Sequence, residues 1–310
     1  MALPSTTVNW TQVNSFTERA FIPTVQDQIF RSNALFSSVP KQTLDGGLYI
    51  SQPLMYGEGP GGPYSGVDPL DISEAEQFTV ANFAWKFYYA AITYRQQDKL
   101  MNSGKHALAN LIKNRVDVGR MTMENQLGTG LHSDGSTTPK HITGLRAGVT
   151  GTGTTYGQIS KTTNAWWRSP LDTTTTVLSL SAMRTRRGSA TENRIKPNLG
   201  LTTRAIYNLY WNLLQPQERY VNTNVARAGF TTLGFEDMSI VEDSHCPDSY
   251  LYMLNTNYMK LYSHSAENMR FRPFMEPVDR PQLRTAFLLW AGNLAISNCR
   301  FQTVMTAITS

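Results

Sequence analysis

Five histidines, two cysteines and a few clusters of charge are the residues of this 310-residue chain that could do chemistry. A metal site needs His, Cys, Asp or Glu in pairs a few residues apart, and His106, His132, His141, His245 and His264 show no such spacing. His245-Cys246 could gather in space with His264 and Cys299, but a turn histidine and two reduced, buried thiols account for the same residues. Ser38-Val39-Pro40-Lys41 has the spacing of a serine–lysine acyl-transfer motif, yet Pro40 breaks the helical turn that would bring hydroxyl and amine together. The glycine-rich run GVTGTGTTYG at 148–157 suggests a phosphate cradle, but no Gly-Lys-Ser or Gly-Lys-Thr follows, so it reads as a loop. Glu236-Asp237, Glu242-Asp243 and Asp71 with Glu74 read as solvated carboxylates at turns and strand ends. Arg184, Arg186 and Arg187, with Arg194 and Lys196 behind them, could hold phosphate; a solvated helix face is the simpler reading. No catalytic, metal-binding or cofactor-binding constellation emerges, and the expectation is a protein that is not an enzyme and needs no cofactor.

One charge pattern is more suggestive. Between Arg95 and Glu124 six basic residues (Arg95, Lys99, Lys105, Lys113, Arg115, Arg120) face three acidic ones (Asp98, Asp117, Glu124), a balance suited to nonspecific contact with a packed polyanion. The whole chain carries +5 with a sequence pI near 9.1, too mild to argue nucleic-acid binding alone. Charged residues are only 16% of the chain against roughly 25% in ordinary soluble proteins. A surface so lightly guarded by charge favours extensive contact with like subunits. The N-terminus lacks a basic region followed by an apolar run, and no uninterrupted apolar span could cross a bilayer, so the expectation is a soluble protein made in a cytoplasm.

The elements that would position these residues are unevenly legible. Residues 102–128 are the clearest: Leu108, Ile112, Val116, Gly119, Met123 and Leu127 form one helical stripe, Asn102 or Ser103 can cap the start, and Gly128 with Gly130 offers a left-handed exit. A rod this long needs a long surface, and the candidate is a sheet built from distant segments. Residues 1–45 carry scattered apolar side chains, with a short helix over 23–33, and read as an arm or a strap. From Gly46, Leu48, Ile50, Leu54, Met55 and Tyr56 read as one strand and Phe78 to Tyr89 as the returning one, with a loose tip at 57–66. So long an excursion is expected to leave the body and touch something else. A mixed region follows, with helices over 178–187 and 204–214 and strands over 195–202, 238–242 and 250–255. Residues 284–308 read as two adjoining strands turning near Ser297-Asn298, the expected partners of the long helix.

The order of these parts resembles the major capsid proteins of tailed phages, with the Hong Kong 97-like shell fold. The likeness rests on GGLYISQPLMYGEG before residues 78–94, on the long helix followed by Ile142-Thr143-Gly144-Leu145, on 219–241 with Gly229-Phe230, and on Tyr250-Leu251-Tyr252-Met253-Leu254-Asn255. It implies an α+β chain with an N-terminal arm (1–45), an extended loop lying on a neighbouring subunit (46–81), a peripheral domain (82–153 and 269–310) containing the spine helix, and an axial domain (154–268). The implied function is a structural one. Hexamers and pentamers would form an icosahedral virion shell around double-stranded DNA, assembled in the host cytoplasm with scaffolding, portal and decoration proteins as partners and without a membrane. Leu48, Ile50, Leu54, Met55 and Tyr56 would serve the inter-subunit loop, and Lys105, Lys113, Arg115 and Arg120 would face DNA. Residues 46–85 hold no lysine, so a loop-borne isopeptide crosslink is not expected. Alternatives are an encapsulin-type compartment shell, which would share the fold, and a β-rich hydrolase, disfavoured by the missing catalytic constellation.

Overall fold

The computed structural model describes residues 33–66, 70–71, 73–101, 105–136, 139–174, 176–214 and 232–309. The helix expected over 23–33 and the Gly229-Phe230 pair lie outside the described residues, and so does most of the N-terminal arm.

The spine helix runs Lys105–His132 and buries Ile112, Val116, Gly119, Met123, Leu127 and Leu131. The expected stripe is therefore the core face, but the expected stop at Gly128 and Gly130 is overrun by a full turn. Both glycines are there for close approach. A Cβ on Gly128 would sit 2.6 Å from the His245 ring, and one on Gly130 would sit 2.3 Å from the Tyr88 hydroxyl. Gly119 likewise lets Ile92 of the facing strand come down onto the helix.

The surface beneath the helix is a five-stranded sheet organised on one long strand, Leu283–Ile296. That strand pairs antiparallel with Lys86–Arg95, Arg270–Met275 and Met259–His264, and the last pairs in parallel with Lys41–Leu44. In Lys86–Arg95 the buried set is Tyr88, Ala90, Ile92 and Tyr94, while Phe87 and Tyr89 point out. Sequence alternation over 78–89 ran through a single strand; the structure breaks it at Trp85, whose indole N–H donates to the Gly47 carbonyl at 2.8 Å. The break inverts the faces, so Phe83 is buried but Phe87 is not. Asn293 pins the centre of this assembly. Its carboxamide accepts from the Thr143 N–H at 3.1 Å and donates to the Ala84 carbonyl at 2.8 Å.

A second sheet of six short strands runs in the order Thr232–Phe235, Met238–Glu242, Leu199–Thr202, Leu251–Leu254, Thr303–Met305, Leu171–Asp172. Helices Leu180–Ser189 and Arg204–Leu213 cover it through Met183, Ile206, Tyr207 and Tyr210, making a hydrophobic core separate from the one under the spine helix. The two closing strands were expected to stay together under the spine helix. Only Leu283–Ile296 does; the chain turns at 297–302 and Thr303–Met305 joins the smaller sheet. Apart from Asn293 and Thr303 the buried positions of both strands are apolar, so periodicity carries no information about which sheet each one enters.

Candidate functional site

Strands Tyr49–Met55 and Phe78–Ala84 form a two-stranded ribbon, in register from Tyr49 with Ala84 to Met55 with Phe78. Period two sorts its residues onto opposite faces. Ile50, Gln52 and Leu54 face inward with Ala81 and Phe83, against the chain's own residues 155–167. Phe83 meets Tyr156 edge-on at 5.0 Å, and Tyr56, at the base of the tip, stacks on Trp166 at 5.0 Å. Gln52 accepts from the Tyr262 hydroxyl at 3.0 Å. The expectation that all five apolar residues of this arm lack burial in their own chain is corrected for two of them: Ile50 is 1% and Leu54 6% exposed. Leu48 and Met55, at 82% and 72% exposed, keep no such cover. Met55 with Tyr49, Phe78 and Val80 makes the ribbon's outer face apolar, while Leu48 lies in the bend before the ribbon. The described residues of the tip, 57–66, hold no helix or strand.

On the spine helix Lys113 is exposed, Arg115 lies half-exposed 3.8 Å from Asp98, and Arg120 is partly buried; the Lys105 side chain lies outside the described residues. Asp117 and Glu124 are half-buried on the same helix, and Val118 and Met121 are exposed.

The residues considered for chemistry are accounted for structurally. Arg184 and Arg187 both bind Glu236, and Arg186 binds Asp172 at 3.0 Å. Arg187 is buried, so the expected solvated face is instead a clamp from helix to strand turn. Ser38 donates to the Ala34 carbonyl and Lys41 lies over the Phe36 ring, each turned to its own neighbour. His264 packs on Trp85 in the larger sheet, away from any grouping with His245. The run at 148–157 does wrap an ion, but of the opposite sign from phosphate. The fully buried Lys161 ammonium donates to the Gly148 carbonyl at 2.6 Å and the Thr150 carbonyl at 3.2 Å. Burial lowers the Lys161 pKa and pushes the Cys299 thiol up to about 11; Cys246 is raised as well, so both free cysteines are held as inert thiols.

One ionisable cluster was not legible in the sequence, and it corrects the reading of Asp243 as a solvated carboxylate. Asp243, fully buried, lies 3.5 Å from His132 at the end of the spine helix and 3.5 Å from His245, and accepts the backbone N–H groups of His245 at 3.0 Å and Leu35 at 3.3 Å. It ties the spine helix, the smaller sheet and the segment around helix Ala34–Ser38 together. Burial raises the Asp243 carboxyl, but the two imidazoles 3.5 Å away and the His245 backbone N–H outweigh it and depress that carboxyl, while the carboxylate raises His245. Among the described residues no group of three or more His, Cys, Asp or Glu could hold a metal ion, and no helix is long and apolar enough to cross a membrane.

An α+β chain with a long helix laid on one sheet, a smaller sheet beside it and a ribbon running out from their junction has the Hong Kong 97-like architecture of viral shell proteins, and solved structures of that class superpose on it. The capsid asymmetric unit of cyanophage A-1(L) matches with a TM-score of 0.65 at 17% identity, covering 92% of this chain and 93% of that one. The capsid of a native GTA particle matches at 0.61 and 9% identity over 90% and 91% of the two chains. The SrpI encapsulin of Synechococcus elongatus PCC 7942 matches at 0.58 and 8% identity over 88% and 86%. No protein-family model and no curated protein sequence matches the chain. The fold of this chain is thus the one shared by these capsid and encapsulin shell proteins.

Proposed function

We propose that this protein is the major capsid protein of a tailed phage, forming hexamers and pentamers that close into an icosahedral shell around double-stranded DNA. The observation that carries the reading is the superposition on a phage capsid subunit along nearly the full length of both chains. In this reading residues 82–153 and 269–310 make a peripheral domain and 154–268 an axial domain, with two exchanges at the border. Met259–His264 belongs to the larger sheet and Thr303–Met305 to the smaller. Residues 46–81 are the extended loop, and the outer ribbon face around Met55, Phe78 and Val80, with Leu48 beside it, supplies its apolar contact with a neighbouring subunit. Scaffolding, portal and decoration proteins are the expected partners, and the host cytoplasm the place of assembly.

Lys113 and Arg115 would lie toward packaged DNA and contact phosphate without sequence preference. Reversing both to Glu should leave empty shells intact and alter genome packing in a salt-dependent way. A reconstruction placing them on the outer surface of the shell would refute that orientation.

A second reading is an encapsulin-type shell, favoured by the match to SrpI, whose TM-score is close to those of the phage-type shells. Contents separate the two. Particles isolated from the native source, treated with nuclease and then opened should release protected double-stranded DNA; a stoichiometric cargo protein and no DNA would favour the encapsulin.

A further inference from the structure

We propose that Asp243 and the imidazoles around it form a proton-dependent latch between the last turn of the spine helix and the smaller sheet. Protonation of His245 holds the joint closed, and loss of that proton opens it locally. The latch belongs to the single subunit, whatever shell that subunit joins.

Asp243 is the one acidic side chain that is buried among the described residues. It follows directly on strand Met238–Glu242, and its own N–H donates to the Thr202 carbonyl of the neighbouring strand at 2.9 Å, so the smaller sheet fixes its position. A carboxylate in such a place needs donors and a counter-charge. The backbone N–H groups of His245 and Leu35 are its donors. The His132 side chain, 3% exposed, comes no closer than 3.5 Å, and neither its ring nitrogens nor the Tyr252 hydroxyl beside it have a hydrogen-bond partner. His245 is placed differently. Its side chain is 17% exposed and exchanges protons with solvent, yet its Nδ1 is 3.5 Å from Asp243. The same ring lies on the spine helix at Gly128, where a Cβ would come within 2.6 Å. His245 therefore touches both sides of the joint and can carry the charge that neutralises Asp243.

The other ionisable groups about the joint are Glu124 on the spine helix, Cys246 and Asp248 in the turn, Tyr250 and Tyr252 behind it, and Arg146, which faces Tyr252. Asp243, and Glu124 after it, favour the protonated His245 ring over the opposing effect of burial. Closure is therefore complete below the ordinary histidine pKa of about 6.5 and is lost as pH rises through the higher folded value, with Asp243 ionised throughout. Above that value the joint holds a buried carboxylate without its counter-charge. Residues 243–250 lie between strands Met238–Glu242 and Leu251–Leu254, both fixed in ladders with Leu199–Thr202, so the turn yields before either strand does.

Cys246 reports the opening. Its thiol is 5% exposed and donates to the Tyr250 carbonyl across the turn at 3.8 Å, whereas Cys299 is fully buried elsewhere, with its carbonyl bonded by Ser169. Dissociated full-length subunits are treated with N-ethylmaleimide between about pH 6 and pH 8.5, and the rate at each cysteine is read by peptide mass spectrometry. Protection is the rate in the unfolded chain at the same pH divided by the native rate, which cancels the titration of the thiol itself. Cys246 protection should fall at least about threefold across that range while Cys299 protection does not fall. His245→Gln should leave Cys246 equally unprotected at both ends. Steady protection of wild-type Cys246, a parallel fall at Cys299, or a His245→Gln variant with the wild-type pH dependence would each overturn the latch. If His245→Gln does not fold, the wild-type series decides by itself. None of these outcomes touches the shell-forming reading.

Discussion

Leu54 and Met55 are adjacent in sequence and opposite in fate, and a carboxylate placed at each should separate folding from assembly. Leu54 is 6% exposed, packed with Phe83 and Ala81 on the inner ribbon face. Removing a buried leucine side chain costs about 2 to 5 kcal/mol, and leaving a carboxyl in its place adds roughly 1 to 3 kcal/mol for an unsatisfied polar group. The sum approaches a typical domain stability of about 5 to 15 kcal/mol, so Leu54→Asp should give subunits that melt far below wild type or do not accumulate. Met55→Asp changes a residue that touches solvent, and the expected change in subunit stability is within about 0.5 kcal/mol. Its effect should appear only in assembly, where the outer ribbon face must dehydrate. A carboxylate there forfeits the burial of one large apolar side chain, about 1.5 to 3 kcal/mol at every loop contact around a ring. Denaturant unfolding of dissociated subunits gives the first quantity and sedimentation velocity of assembled material the second. Leu54→Asp subunits that melt like wild type, or Met55→Asp shells at normal yield, would refute the assignment of the two faces.

The Asp243 cluster makes stability depend on pH in a defined direction. Because His245 is raised, its contribution is complete below its unfolded pKa of about 6.5 and is lost as pH rises through the folded value; because Asp243 is depressed, its contribution is present above about 3.8 and lost as pH falls through its folded value. The penalty of Asp243→Asn, about 3 kcal/mol for breaking a buried pair, should therefore be larger at pH 5.5 than at pH 8.5, and an equal melting shift at both would count against the pairing. Gly128→Ala should destabilise by about 1 to 3 kcal/mol, although alanine is the better helix former by about 1 kcal/mol, because the new methyl meets the His245 ring. A gain in melting temperature would show that the ring gives way. With no lysine in residues 46–85 to carry a crosslink, shells boiled in detergent should run as single chains; a ladder of multimers on the gel would overturn that expectation.

Local periodicity made the spine helix readable, since Ile112, Val116, Met123 and Leu127 recur on one face and bury as that face requires. The same reasoning misread Gly128 and Gly130 as an exit, because their purpose lies in His245 and Tyr88, distant in sequence and brought near only by the fold. Alternation located both ribbon strands but could not say which face belongs to the chain's own core: Ile50 and Leu54 against Tyr49 and Met55 look alike until residues 155–167 are in place. In Lys86–Arg95 both faces are rich in aromatics, and the choice of Tyr88 and Tyr94 over Phe87 and Tyr89 is made by the spine helix. His132 and Asp243, like Lys161 and the carbonyls of Gly148 and Thr150, carry no motif because each partner is ordinary alone. The overall likeness to capsid proteins was legible in the order of parts, which survives where short-range identity is only 17%.

Whether this chain closes into a shell is read by electron microscopy of the purified protein with its scaffolding partner present. Closed particles whose averages show fivefold vertices and sixfold rings of this subunit are expected. Only monomers at high protein concentration, or open aggregates without five- or sixfold order, would contradict it.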